Sequence, residues 1–167
     1  MKQIPWESNI GARERAERLF NELDLGSVKS AFELTQRVAE VVGKPVRIEK
    51  HDNLVLSATT ALTVDFPDYA AVLLRAGDKF YYQLRALHHE FGHLLFGHPG
   101  CPGELIDSEL RGMFAGGRVY GRMLLTEHES SPLLSEHEHE AEAEAMADLL
   151  TRALLRPEYL NDERVFG

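Results

Sequence analysis

Apolar residues in this chain recur at two periods, and the switches between them mark out its elements. Over residues 11–23, Ala12, Ala16, Leu19, Phe20 and Leu23 fall at helical spacing. Ser30 precedes a second such pattern over residues 31–42, which Gly43 closes with Pro45 just beyond. That is the order of residues that starts and stops a helix. Val46-Arg47-Ile48-Glu49-Lys50 alternates as a half-buried strand, and residues 54–57, 61–66 and 69–75 read as further strands, the last two joined through Pro67-Asp68. After Gly77-Asp78 comes an apolar stretch without proline, residues 80–96, long enough for a buried helix. Residues 97–103 read as loop, 104–114 as a short helix before the breaker Gly116-Gly117, and 127–135 as a mobile segment. Residues 136–155 are strongly helical until Arg156-Pro157. No internal repeat is present. The expected class is α+β, with a small, mostly antiparallel sheet packed against the 80–96 helix and the C-terminal helix.

Composition narrows the function classes. A chain of 167 residues with 44% hydrophobic and 27% charged content has room for one domain with a real core. The formal net charge of −9, with no cluster of Lys or Arg, argues against direct nucleic-acid binding. The single cysteine, Cys101, has no partner for an internal disulfide and reads as a small loop residue beside Pro99, Gly100 and Pro102. Residues 1–10 hold no apolar run suited to a signal peptide, and no segment reaches the roughly 18 apolar residues of a membrane span. A cytoplasmic location is expected.

The chemistry is concentrated in His89-Glu90-Phe91-Gly92-His93, an H-E-x-x-H pentad inside the predicted buried helix. This pattern is a known zinc signature. Residues four apart on a helix share a face, so both imidazoles can reach one Zn²⁺ at about 2.0–2.1 Å. Glu90, beside His89, is placed to take a proton from a metal-bound water and pass it to a leaving group. Two unpaired imidazoles and a carboxylate are poor occupants of a buried helix, which favours the site over chance. Gly92 costs about 1 kcal/mol against Ala in a helix, which suggests that something approaches the backbone there.

Zinc needs a third protein ligand. His98 is five residues past His93; the metzincin spacing fails here, since its positions hold Phe96 and Pro99, and His98 reads rather as a cap or loop residue after Gly97. The other candidates crowd the C-terminal helix: His137, Glu138, His139, Glu140, Glu142 and Glu144. Ala143, Ala147, Leu150 and Leu154 mark its apolar stripe, broadened by Met146, Leu149 and Ala153. Glu144, Asp148 and Thr151 border that stripe, Glu140 lies one turn earlier, and Glu138 and Glu142 are expected to face water. The favoured assignment is Glu144 as third ligand, with Asp148 receiving the other N–H of a ligand imidazole.

The run from Arg85 to Leu95, the strand before it, and the later Glu144-Ala145-Met146-Ala147-Asp148 leading to Leu154-Leu155-Arg156-Pro157 resemble the ImmA/IrrE family of small zinc metallopeptidases. The likeness runs from about Ala31 to Pro157. It implies a minimal zincin-like domain over residues 31–160, a helical segment over 1–30 packed on it and a tail over 161–167. Carried over by position, His89 and His93 become ligands, Glu90 the general base, Glu144 the third ligand and Asp148 its support. The same E-x-x-x-D spacing is used by gluzincins such as the thermolysin-like peptidases. Two departures stand out: family members often have Ala where this chain has His88, and a Phe-Ala pair where it has Leu150-Thr151. The spacer between the motifs is also rather long.

The resemblance implies zinc-assisted peptide hydrolysis, with a helix-turn-helix repressor or an antitoxin as partner, since relatives are often encoded beside such regulators. The oxyanion would need a donor, for which His128, His137, His139 and Tyr120 are candidates. Strand 61–66 is the candidate edge for pairing with a peptide. Two other classes remain: a zinc-containing regulatory module that grasps a repressor without cleaving it, and a structural zinc domain closed by a fourth ligand such as His98 or Glu140. A His/His/Glu site also accepts Mn²⁺, Fe²⁺ or Co²⁺.

Overall fold

A computed structural model describes residues 5–52, 61–99, 101–102, 116–120 and 134–155. Helix α1 (Pro5–Glu22) and a short 3-10 turn (Leu25–Ser27) lead into α2 (Ala31–Val42). Strands β1 (Val46–His51), β2 (Ala61–Asp65) and β3 (Ala70–Arg75) follow, then α3 (Phe80–Phe96), the short strands β4 (Cys101–Pro102) and β5 (Arg118–Tyr120), and α4 (Leu134–Leu154). This is the expected α+β class. The predicted strand at 54–57, the short helix at 104–114 and most of the mobile segment at 127–135 lie outside the described residues; Leu134 and Ser135 already belong to α4.

Local signals set the boundaries of α2. The Ser30 hydroxyl accepts from the Glu33 amide at 3.1 Å, and the Glu33 carboxylate reaches back to the Lys29 amide at 3.0 Å. At the other end Gly43 adopts φ 79°, where a side chain would be strained.

The strands form one sheet in the order β1-β3-β2-β5-β4. It is mostly antiparallel, with β1 and β3 the parallel pair. Phe66 and Tyr69 close the β2–β3 hairpin through a 2.9 Å backbone hydrogen bond and stacked rings. β3 is an interior strand and buried along Ala70–Leu74, as its unbroken apolar run requires. β1 is an edge strand, and its Ile48 is exposed rather than half-buried. β2 is flanked by β3 and β5, so the expectation that residues 61–66 offer a free edge to a peptide is corrected over Thr63–Asp65, where β5 occupies that side.

Helix α3 packs on β2, β3 and α2, α4 packs on α3, and α1 packs on α4. The core between them is built from Leu87, Phe91, Leu94 and Leu95 of α3, Met146 and Leu150 of α4, Val72 and Leu74 of β3, and Leu34 and Val38 of α2. The α3–α4 crossing is unusually close. A Cβ on Gly92 would lie 2.8 Å from both the Cα and the carbonyl oxygen of Ala143. This is the backbone approach that a glycine inside the pentad implies. Among the described residues no helix is long and apolar enough to cross a membrane.

Candidate metal centre

The Gly92–Ala143 contact fixes which turn of α4 faces the pentad. Gly92 sits between His89 and His93 on α3, and Ala143 sits between Glu140 and Glu144 on α4. At this register the Glu140 carboxylate faces both imidazoles: its Oε2 lies 3.2 Å from His89 Nε2 and its Oε1 lies 3.2 Å from His93 Nε2. His89, His93 and Glu140 form a group able to hold a metal ion, with ligand atoms all within 4.8 Å of one another.

The carboxylate that faces both histidines is Glu140, one turn before the expected Glu144. Glu144 lies outside this group and its side chain is 56% exposed, against 22% for Glu140. Its Oε2 instead accepts from His89 Nδ1 at 3.1 Å, while Oε1 pairs with Arg85. Asp148, predicted to support an imidazole, meets Arg85 at 2.7 Å. Glu144 thus occupies the supporting place assigned to Asp148, and Asp148 steadies the arginine behind it. The spacing of two acids four residues apart is kept, as Glu140 and Glu144 rather than Glu144 and Asp148.

His93 has a different support. Its Nδ1 lies 2.9 Å from Nδ1 of His98, whose Nε2 lies 2.6 Å from Glu142 Oε2. Glu142 also pairs with Arg15 of α1. The expectation that Glu142 faces water is corrected: it is buried because His98 and Arg15 converge on it. His98 follows Gly97 in the cap of α3, as expected, but it does not project freely. Its ring is buried between Phe96 and His139, stacked on both.

Glu90 is buried, and its Oε2 accepts from the Thr63 hydroxyl of β2 at 2.6 Å. Thr63 escaped the sequence reading, and a polar residue at a fully buried position in the apolar run of β2 is the signal that points to it. Burial pushes the Glu90 carboxyl above its ordinary range, opposed by the neighbouring His93 and His89 and by the Thr63 hydrogen bond. For His89, burial disfavours the charged ring, but hydrogen bonds to Glu140 and Glu144 outweigh it and raise the pKa to about 10. Glu140 answers in kind: burial works against its charge, yet His89 and His93 hold it well below the usual carboxylate range. Burial is also the main reason that His98 falls to about 4 and stays neutral, with the Glu142 hydrogen bond opposing it.

His88 points away from the centre. Its Nδ1 lies 2.8 Å from the Thr151 hydroxyl, and its Nε2 is buried without a partner among the described residues. His88 and Thr151 are two of the positions where the chain departs from the ImmA/IrrE pattern. They are the two halves of one hydrogen bond across the α3–α4 interface.

Of the oxyanion candidates, His137 is exposed, His139 is half-buried against His98, the Tyr120 backbone lies in β5, and His128 falls outside the described residues. Comparison of the chain with protein-family models, curated proteins and solved structures found no match.

Proposed function

We propose that this chain is a zinc-dependent peptide hydrolase with a zincin-like active site, acting site-specifically on a protein partner such as a helix-turn-helix repressor or an antitoxin. The observation that carries the reading is one carboxylate, Glu140, facing Nε2 of both pentad histidines, with the buried Glu90 carboxylate beside them.

The donor set fits the metal. Two imidazole nitrogens and one carboxylate make a three-ligand zinc set that leaves a position open. One ligand atom from each of the three residues can be chosen so that all lie within 4.8 Å of one another, close enough to be drawn onto a single ion. When bound, zinc supplies Lewis acidity, polarising a carbonyl and lowering the pKa of water to about 7.

The chain's own residues do the rest. Glu90, its carboxyl raised above the ordinary range by burial, is suited to accept a proton from water and return it to the leaving amine. Thr63 holds one of its oxygens, so the carboxylate has a fixed aim. Glu144 accepts from His89 Nδ1, so the Nε2 that donates to Glu140 in the metal-free protein is the nitrogen that would bind the metal once its proton is displaced. The partner class rests on the motif resemblance, and the acidic chain, without a basic cluster, suits a protein partner better than a nucleic acid.

The test is Glu90→Gln, which keeps size and shape and removes the base. The variant should retain zinc and fold but release no fragments from a co-expressed helix-turn-helix regulator that the wild type cleaves, as read by fragment mass. Relief of repression at wild-type level by Glu90→Gln, without fragments, would establish a binding module instead of a hydrolase.

A further inference from the structure

Each ligand imidazole has a second ring nitrogen that must be given a partner, and the two histidines solve this differently. His89 uses a carboxylate directly. His93 uses another imidazole, and that choice reaches through three elements of the fold.

The arrangement begins with a local turn. Helix α3 ends at Phe96, and Gly97 takes φ 64°, a conformation that disfavours any side chain. The Gly97 amide then donates to the Leu94 carbonyl at 3.1 Å and the His98 amide to the His93 carbonyl at 3.1 Å. This pair of bonds is the Schellman motif, and it folds the residue after the glycine back over the last turn of the helix. His98 is that residue, so its ring lands beside His93. Stacking on Phe96, with ring planes 2° apart, and on His139, with centroids at 4.2 Å, holds it there.

Proton positions follow from what each atom faces. When a metal occupies Nε2 of His93, the ring hydrogen is on Nδ1 and donates to Nδ1 of His98. His98 must then carry its own hydrogen on Nε2, which donates to Glu142. Glu142 is anchored in turn by Arg15. The order of donors is fixed from one end of the chain to the other.

We infer that His98 is a positioning residue for metal binding, which fixes the tautomer and ring orientation of His93, and that Glu142 and Arg15 of α1 hold His98 in that role. The inference rests on the proposed metal site. It makes α1 part of the site, although α1 supplies no ligand.

The test compares zinc affinity, by competition with a chromophoric chelator, in wild type, His98→Phe and His98→Gln. Phe keeps a flat ring for stacking but accepts no hydrogen bond, and zinc should bind about 10–100-fold more weakly. Gln restores one acceptor and one donor and should bind nearly as tightly as wild type. In the zinc-loaded protein, a hydrogen-bonded His93 Nδ1 proton should be visible by NMR in wild type and His98→Gln and absent in His98→Phe. Arg15→Met should weaken zinc less than His98→Phe, and unchanged affinity would remove α1 from the inference. Metal-free melting temperatures report whether each variant folds. Equal affinity in folded His98→Phe, or equal loss in both His98 variants, would overturn the positioning role. Failure of the wild type to bind zinc would instead overturn the metal site itself.

Discussion

Replacing Gly92 with Ala sets two effects against each other, and the outcome depends on the α3–α4 contact. In an unconstrained helix Ala is favoured over Gly by about 1 kcal/mol. Here the added Cβ would stand 2.8 Å from two backbone atoms of Ala143 and 3.2 Å from a third. Ordinary carbon contacts begin near 3.5 Å, so the helices must part by about 0.7 Å, and backbone cannot rotate away as a side chain does. Overpacking of this kind costs about 1–3 kcal/mol. The metal-free fold should therefore range from unchanged to about 2 kcal/mol less stable by urea unfolding. Metal binding should suffer more, because His89 and His93 are on one helix and Glu140 on the other. A functional constellation tolerates errors of only about 0.5 Å, so zinc affinity should fall by at least about tenfold. The assay pairs urea melts of the metal-free protein with chelator competition. A variant about 1 kcal/mol more stable than wild type, with zinc affinity unchanged, would refute the claim that this contact sets the register.

The remaining predictions concern protons. His88 has a pKa lowered from 6.5 to about 4, by burial first and by Arg85 second, so its neutral form stabilises the fold above pH 6.5 and this contribution is lost as the pH falls toward 4. The difference corresponds to about 3 kcal/mol, and a His88→Ala/Thr151→Ala double variant should keep its zinc while losing less stability over that range, as measured by denaturation at several pH values. Parallel pH profiles would contradict this. His89 moves the other way: raised to about 10, its charged form stabilises the metal-free fold below pH 6.5, and that contribution is lost as the pH rises through about 10. Zinc must displace that proton, so its affinity should rise about tenfold per pH unit between pH 7 and 9, by chelator competition in buffers that do not bind zinc. An affinity flat over this range would show that His89 carries no such proton.

Elements whose signals are local were legible in the sequence. Ser30 and Gly43 mark α2 to the residue, because a cap hydroxyl and a left-handed glycine act within one turn. Helix α3 over 80–96 was equally plain, and Gly92 correctly announced a close backbone neighbour. The sequence did not reveal which turn of α4 meets the pentad. Glu140 and Glu144 lie on the same helical face, so periodicity identifies the face but not the height along it. That height is set by Ala143 against Gly92, a contact between residues far apart in sequence. The same limit hid Glu142, whose burial depends on Arg15 of α1 and on His98. Thr63 and His88 show it again, since their partners Glu90 and Thr151 belong to other elements. For His98 the clue was present: a glycine closing a helix folds back the next residue, and the next residue was a histidine.

Zinc binding by Glu140→Ala, measured by equilibrium dialysis with metal analysis beside wild type and Glu144→Ala, tests the centre most directly. Wild type should hold one zinc per chain. Glu140→Ala should lose it, because only His89 and His93 remain. Glu144→Ala should keep the site with affinity reduced by about 10–100-fold, as expected for a residue that orients a ligand. Loss of zinc in Glu144→Ala with full retention in Glu140→Ala would contradict the assignment, and a wild type that binds no zinc would contradict the metal centre altogether.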